Sequence, residues 1–473
     1  MNIKKIASGT LVTTTCLLGN STGFALTPNP QRPHILFLFP DDMRSSTIHA
    51  LGNDEIITPN LDKLVQTGSS YVNTYIMGGS CPAVSMPSRA MLMTGRYLFS
   101  LEQDGENIPK EHIVLGEALR ANGYHTYLIG KWHNGRASLN RGFCAGGEIF
   151  LDIMDHWNTP LYNYDPTGEY AAQIPYVADF VRQTVGYRNG DHIHVGKHAS
   201  EVFSDQAIEF INNYDDTQNP FFMYVAYTAP HDPRVMPEKY LNMYDTAKIT
   251  IPANFMPEHP FDNGEMRIRD ELLLGFPRNR AEVKLQIRSY YGMITHLDEQ
   301  IGRVVEALKQ KGLYENTIII FAADNGLAVG QHGLLGKQNL YEHSIKVPLI
   351  FVGKGFKAGA KEQRLTYLQD IYPTICDLTQ TAIPPSVEAL SILSGAKREV
   401  MYHAYMNLQR AIKRGTYKLI EYYVNNKVTT QLFDLSKDPL EINNLVDDPK
   451  YKSIVDELRV ELRNQKNIYK DNL

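Results

Sequence analysis

The chain has 473 residues, 43% of them hydrophobic and 21% charged, with a formal net charge of −5. That length suits one large domain with a smaller companion, and the composition is that of an ordinary globular protein. The mild charge argues against a general nucleic-acid binder. An anionic ligand would have to be held by a local cluster of cations.

Met1-Asn2-Ile3-Lys4-Lys5 is a short basic start, and a mostly apolar run follows from Ile6 to Gly19. With Gly23-Phe24-Ala25 as a small-x-small site, the pattern predicts a signal peptide (residues 1–25) cut after Ala25, and a secreted or periplasmic protein. Thr13-Thr14-Thr15 ahead of Cys16 makes a poor lipobox. No other run is long and apolar enough to span a bilayer, so the chain does not read as membrane-spanning. Cleavage would leave Cys81, Cys144 and Cys376. An odd number speaks against a disulfide framework and leaves room for a single bridge.

Four apolar runs each end in a polar cluster. His34 to Phe39 leads into Asp41-Asp42, and Thr126 to Ile129 into Lys131-Trp132-His133. Phe221 to Tyr227 leads into His231-Asp232, and Thr317 to Ala323 into Asp324-Asn325-Gly326. Continuous apolar runs suit strands buried on both faces, hence a mainly parallel sheet. Such sheets bind ligands beyond the carboxyl ends of their strands, so the four clusters point to one site. Helical spacing lies between them, over Leu61–Thr67 with Asn60 as N-cap, Val114–Asn122, Ala199–Tyr214 and Tyr290–Lys311. The fold class is therefore α/β, a large mainly parallel sheet sandwiched by helices. Gly353–Lys361 reads as a connection. Beyond it a helix is expected over Leu365–Leu378, then alternating runs at 410–413, 417–422 and 431–435, and a last helix over Tyr451–Gln465. These give a smaller C-terminal α+β subdomain with a short antiparallel sheet. The expected divisions are 26–360 and 361–473.

The chemistry centres on Ser85-Met86-Pro87-Ser88-Arg89, followed by Thr94-Gly95-Arg96. A serine hydroxyl is a poor nucleophile until activated. No Gly-x-Ser-x-Gly elbow surrounds Ser85. The pairs Asp41-Asp42 and Asp324-Asn325 offer oxygen ligands suited to a hard divalent cation, whereas no Cys/His cluster has zinc-finger spacing. Taken singly, each pair also reads as an ordinary turn, with Gly326 supplying a positive φ.

The Ser85 stretch resembles the signature of the formylglycine-dependent (type I) sulfatases, of the alkaline phosphatase superfamily. Gly130-Lys131-Trp132-His133-Asn134-Gly135, Gly336-Lys337 through Tyr341-Glu342, and Gln431-Leu432-Phe433-Asp434-Leu435 onward are similar to further elements of that family. The resemblance implies a sulfatase, a sulfuric ester hydrolase. It implies that Ser85 is oxidised to formylglycine, whose hydrate attacks sulfur. It places Ca²⁺ on Asp41, Asp42, Asp324, Asn325 and the modified Ser85. Arg89 would hold the hydrate, Lys131 and Lys337 the sulfate, His133 would act as base and His231 as acid. The element around His231 departs from the family by an inserted Asp232. The serine form implies an anaerobic sulfatase-maturing enzyme as partner.

A sulfated glycan is the expected substrate, attacked at a terminal residue. Asp155-His156-Trp157 resembles a segment of bacterial sulfatases acting on sulfated galactose or N-acetylgalactosamine. His156 is therefore expected at the sugar, with Tyr405, Asn407 and Arg410 closing the other side. Two alternatives stay open: a phosphoester or phosphonate monoester hydrolase on the same fold, and a non-catalytic sulfated-glycan binder with Ser85 unoxidised.

Overall fold

The computed structural model describes residues 32–151, 155–179 and 181–472; the signal peptide expected up to Ala25, with Cys16, lies outside them. An eight-stranded sheet runs in the order 360–362, 69–71, 349–352, 317–322, 34–39, 221–226, 125–131, 145–150. The last five of these are mutually parallel. Leu349–Val352 is antiparallel to both its neighbours. His34–Phe39, Phe221–Ala226 and Thr317–Ala322 are buried at every position, as unbroken apolar runs require. The four runs picked out in the sequence are adjacent in this sheet. Their parallel direction sends their carboxyl ends to one edge.

Two helical layers flank the sheet. One contains Pro59–Thr67, Ala199–Asn213 and the 31-residue helix Arg280–Gln310. That last helix starts ten residues before the periodic stretch at Tyr290, because Asn279 caps it by accepting from Ala281 N at 2.8 Å. Asn60 is not an N-cap. The cap is Thr58, Pro59 fills the first turn, and Asp298 of the long helix accepts from the amides of Asn60 (3.1 Å) and Leu61 (2.7 Å). A partner helix from elsewhere in the chain thus satisfies the orphan donors.

Ala360–Glu362 pairs with Ser69–Tyr71 in the large sheet, so the expected boundary after residue 360 cuts an edge strand. The antiparallel sheet is formed by Val400–Tyr405, Gln409–Arg414, Tyr417–Val424 and Lys427–Asp434. Val400–Tyr405 also pairs in parallel with Gly78–Gly79, just before the Ser85 helix, and this locks the small sheet onto the large unit. The final helix is Lys452–Ile468. Among the described residues no disulfide joins Cys81, Cys144 and Cys376.

Candidate active site

Ser85 opens the helix Ser85–Thr94, which Gly95 ends at φ 64° by donating to Met91 O at 2.8 Å. The Ser85 hydroxyl is buried, 3.0 Å from Asn325 Oδ1 and 3.3 Å from Asp41 Oδ1, and it accepts from Lys337 Nζ at 3.2 Å. Arg89, one turn along the same face, donates from Nε to Asp324 Oδ2 at 2.9 Å and lies over the Phe39 ring.

Asp42 sits at φ 62°, a left-handed conformation that Asp tolerates better than most residues. It is held there by its own N–H, which donates to Asp324 Oδ1 at 2.9 Å, and by Tyr290, whose hydroxyl donates to the Asp42 carbonyl at 2.6 Å. Gly326 does not supply the expected positive φ. A Cβ there would stand 2.1 Å from the His343 carbonyl, so close backbone approach is what demands glycine. Gly130 has φ 83° at the irregular register beside Lys131. There the strand bends before delivering Lys131 to Asp41 Oδ2.

Asp41, Asp42 and Asp324 are buried and bring one oxygen each within 4.8 Å of one another. Asn325 turns its Oδ1 toward Ser85 and donates from Nδ2 to Asp42 Oδ1 at 2.7 Å. Burial, reinforced by the charge of Asp41, pushes the Asp324 carboxyl up to about 7. Burial opposes ionisation of Asp41 as well, but Lys131, Arg89, His231 and Lys337 hold it well below the usual carboxylate range. Burial lowers Lys131, while Asp42 and Asp41 more than offset burial at Lys337 and raise it. An all-oxygen donor set of three buried carboxylates and an amide fits a hard divalent cation.

His231 donates from Nδ1 to the Asp232 carbonyl at 2.6 Å, which leaves Nε2 facing the site, 3.6 Å from Asp42 Oδ2. His133 Nδ1 is enclosed without a hydrogen-bond partner. Burial, with Lys131 and Arg89, drives its pKa well below the ordinary value, so the ring is neutral near pH 7. Ser85, Lys131, His133, His231 and Lys337 line one cleft of about 240 Å³. Its outer wall is Ile268, Arg269, Asp270 and Gln338. Gln338 Nε2 ties this wall to Asp270 Oδ2 at 2.9 Å and Pro82 O at 3.0 Å. Sequence reasoning missed Arg269 and Asp270, which lie in no motif. Gln338 stood beside Lys337 as a signal.

Two expected sugar contacts are corrected. His156 is fully buried, with Nδ1 3.1 Å from Thr228 Oγ1 and Nε2 2.9 Å from the His231 carbonyl. It backs His231 and does not line the cleft. Arg410 is 1% exposed and paired with Asp471, its Nη2 3.0 Å from Oδ1. Adjacent strand residues face opposite ways, and it is Gln409 that reaches the cleft wall, at Gln338 O (3.2 Å). Tyr405 is buried and donates to Glu265 at 2.8 Å; Asn407 is exposed.

The sulfatase family model matches residues 33–381, and the model for the C-terminal part of N-sulphoglucosamine sulphohydrolase matches 330–468. An arylsulfatase of Clostridium perfringens is 30% identical over 462 residues, covering 90% of this chain and 93% of that protein. An N-acetylglucosamine-6-O-sulfatase of Bacteroides thetaiotaomicron is 26% identical, covering 94% and 89%. Among solved structures, BT4656 in complex with D-glucosamine-2-N,6-O-disulfate superposes with TM-score 0.72 at 23% identity, covering 93% of this chain and 99% of that one. The phosphonate monoester hydrolase of Agrobacterium radiobacter gives 0.70 at 22%, covering 92% and 96%, so the fold alone does not choose between the esters. The chain belongs to the sulfatase family, within the alkaline phosphatase superfamily. It is a sulfuric ester hydrolase.

Proposed function

We propose that this enzyme is a secreted or periplasmic carbohydrate sulfatase that removes sulfate from a terminal sugar of a glycan, with Ser85 matured to formylglycine. The observation that carries this reading is the junction of Ser85, three buried carboxylates and two lysines at the floor of one small cleft. Asp41, Asp42, Asp324 and Asn325 are the residues that would hold Ca²⁺. Bound there, the cation supplies charge neutralisation at a sulfate oxygen, and the hydrated aldehyde supplies the nucleophilic hydroxyl.

The chain's own residues do the rest. Lys131 and Lys337 present ammonium groups to an entering sulfate without solvent screening. Arg89, fixed by Asp324, orients whatever group side-chain position 85 carries. His231 Nε2 is the atom able to give a proton to the departing sugar oxygen. His133, kept neutral, is able to take one from position 85. The small size of the cleft, about 240 Å³, supports action at a single terminal residue.

Burial of His156 removes the support for galactose or N-acetylgalactosamine. The relatives include an enzyme named for N-acetylglucosamine 6-O-sulfate, so sulfated glucosamines are the first substrates to try. The test pairs the mass of the Ser85 peptide, from protein made with an anaerobic sulfatase-maturing enzyme, with sulfate release from sulfated monosaccharides. A peptide lighter by two hydrogens and release from one sugar, lost in Ser85→Ala, is the expected result. A matured peptide that turns over aryl phosphonate in preference to every sulfate would replace this reading with the phosphonate hydrolase. Matured protein that binds sulfated glycan without releasing sulfate would replace it with the binder.

A further inference from the structure

A second cluster of ligating side chains lies away from the cleft, at the far edge of the large sheet. The register between His125–Lys131 and Ala145–Phe150 passes from Ile129 opposite Gly147 to Gly130 opposite Ile149, which leaves Glu148 as the extra residue of a bulge. Glu148 holds φ 53°. The next residue, Ile149, exchanges two 2.8 Å backbone hydrogen bonds with Tyr162. The strand Pro160–Leu161 beside it pairs with His192–Ile193. Three segments distant in sequence are thereby stitched together, and His192 and His194, two apart on an extended chain, turn the same way.

The donor atoms converge. His192 Nε2 lies 2.8 Å from Glu148 Oε2 and His194 Nε2 lies 2.9 Å from Glu148 Oε1. One ligand atom from each residue falls within 4.8 Å of the others. Tetrahedral zinc, with bonds near 2.0–2.1 Å, sets its ligand atoms about 3.3 Å apart, so small side-chain adjustments close the set. The two imidazoles stand at 90° with centroids 5.3 Å apart, an arrangement that lets both point at one ion. His192 Nδ1 bonds to Asp191 Oδ1, which fixes the ring with Nε2 toward Glu148. Asp191 is itself held by Asn163, whose N–H and Nδ2 donate at 2.9 and 3.1 Å. A carboxylate behind a ligating histidine is the outer support that metal sites use to set tautomer and orientation.

We infer that Glu148, His192 and His194 form a zinc site, with Asp191 supporting His192 and an open position left for water. Its ligands differ in kind from those of the cleft. Two imidazoles and a single carboxylate suit a borderline transition metal such as zinc, while the all-oxygen set around Asp41 suits a hard cation. The role assigned is structural. The site clamps the bulged edge strand to the chain returning from the hairpin Gln173–Asp179 and Thr184–Asn189, whose Tyr187 and Val185 are more than half exposed. The inference is independent of the substrate reading.

The experiment uses the full folded protein in excess calcium, titrated with zinc chloride against a chromogenic chelator, with retained zinc counted after desalting. Native protein is expected to keep one more zinc per chain than His192→Ala/His194→Ala. Single His194→Ala and Glu148→Gln proteins should bind that zinc at least tenfold more weakly, and should lack the zinc-dependent rise in Tm expected of the native protein. Sulfate release should be the same for native and His194→Ala protein. Equal zinc content in native and doubly substituted protein would overturn the site. So would zinc retention unaffected by Glu148→Gln, which would place the ion elsewhere. Because His194 is 39% exposed, its single substitution should leave the fold intact even if the double one does not.

Discussion

The well around Ser85 and the cluster around Lys418 both bury lysines against carboxylates, yet they serve different ends. Lys418 Nζ lies 3.1 Å from Glu342 Oε1 and 2.8 Å from Glu441 Oε1, with no side-chain exposure. Tyr75 donates to Glu342 Oε2 at 2.9 Å, and Lys413 donates to the Tyr75 hydroxyl. A cavity of about 340 Å³ reaches Glu342, Lys413 and Glu441, so access alone does not separate the two places. What separates them is aim. Around Lys418, each amine sits between groups from different parts of the chain, and the cluster works as a joint between the antiparallel sheet and the large unit. Around Ser85, a hydroxyl, two imidazoles and two lysines all face one cleft.

The largest effect should come from breaking the first place. Ser85→Ala is expected to lower sulfate release by about 10⁴-fold or more, the scale seen when a nucleophile unit is removed, with Tm little changed. Retained turnover in Ser85→Ala would mean that the hydroxyl only packs. The next effect falls on the joint. Lys418→Met removes the ammonium shared by buried Glu342 and Glu441 and should cost about 3–5 kcal/mol of stability, while activity per folded molecule persists. Thermal melts and active-site-normalised rates distinguish the outcomes, and a loss of rate without loss of Tm would make Lys418 part of the catalytic well.

Acid should act on the joint through His403. Burial, with Lys418 nearby, lowers this ring from 6.5 to about 3, and its Nδ1 donates to Ile76 O at 2.8 Å. The unfolded chain takes up a proton below about 6.5, whereas the folded one stays neutral to about 3. Its contribution is therefore complete above pH 6.5 and is lost as pH falls through that window. His403→Gln keeps a donor for Ile76 and should remove about 1–2 kcal/mol of the native loss between pH 6.5 and 5. Denaturation midpoints across that range test this; parallel pH profiles for the two proteins would refute it.

The four central strands were legible because burial on both faces writes an unbroken apolar run, and the polar residues ending those runs proved to share one edge. The Lys337 loop and the Ser85 helix were legible through their motifs. Features set by distant parts of the chain were not. The first amides of Pro59–Thr67 are satisfied by Asp298, more than two hundred residues away. Gly326 is required by the His343 carbonyl and not by its own φ. Arg410 is expected from the sequence to close the far side of the sugar, but strand parity turns it to Asp471 and gives the cleft wall to Gln409. The bulge at Glu148 rests on a register shift between two strands, which local pattern does not record.

The smallest predicted effect isolates the histidine that sequence placed at the sugar. His156 Nε2 donates to the His231 carbonyl, and Nδ1 accepts from Thr228, so the ring holds the backbone that carries the proposed proton donor. Burial lowers it to about 4, which keeps it neutral and the hydrogen-bond pattern fixed through the working range. As a positioning residue it should affect kcat and not KM. His156→Ala should lower kcat about tenfold, equivalent to ~1.4 kcal/mol, and His156→Gln, which retains an N–H donor, should restore part of that loss. Arg269, whose side chain is 59% exposed on the outer wall, supplies the opposite control. Arg269→Ala should raise KM for a sulfated sugar and leave kcat nearly unchanged. If His156→Ala instead raises KM alone, as Arg269→Ala is expected to, then the ring meets substrate after all and the wall of the cleft opens further in solution than this arrangement of Thr228 and His231 allows.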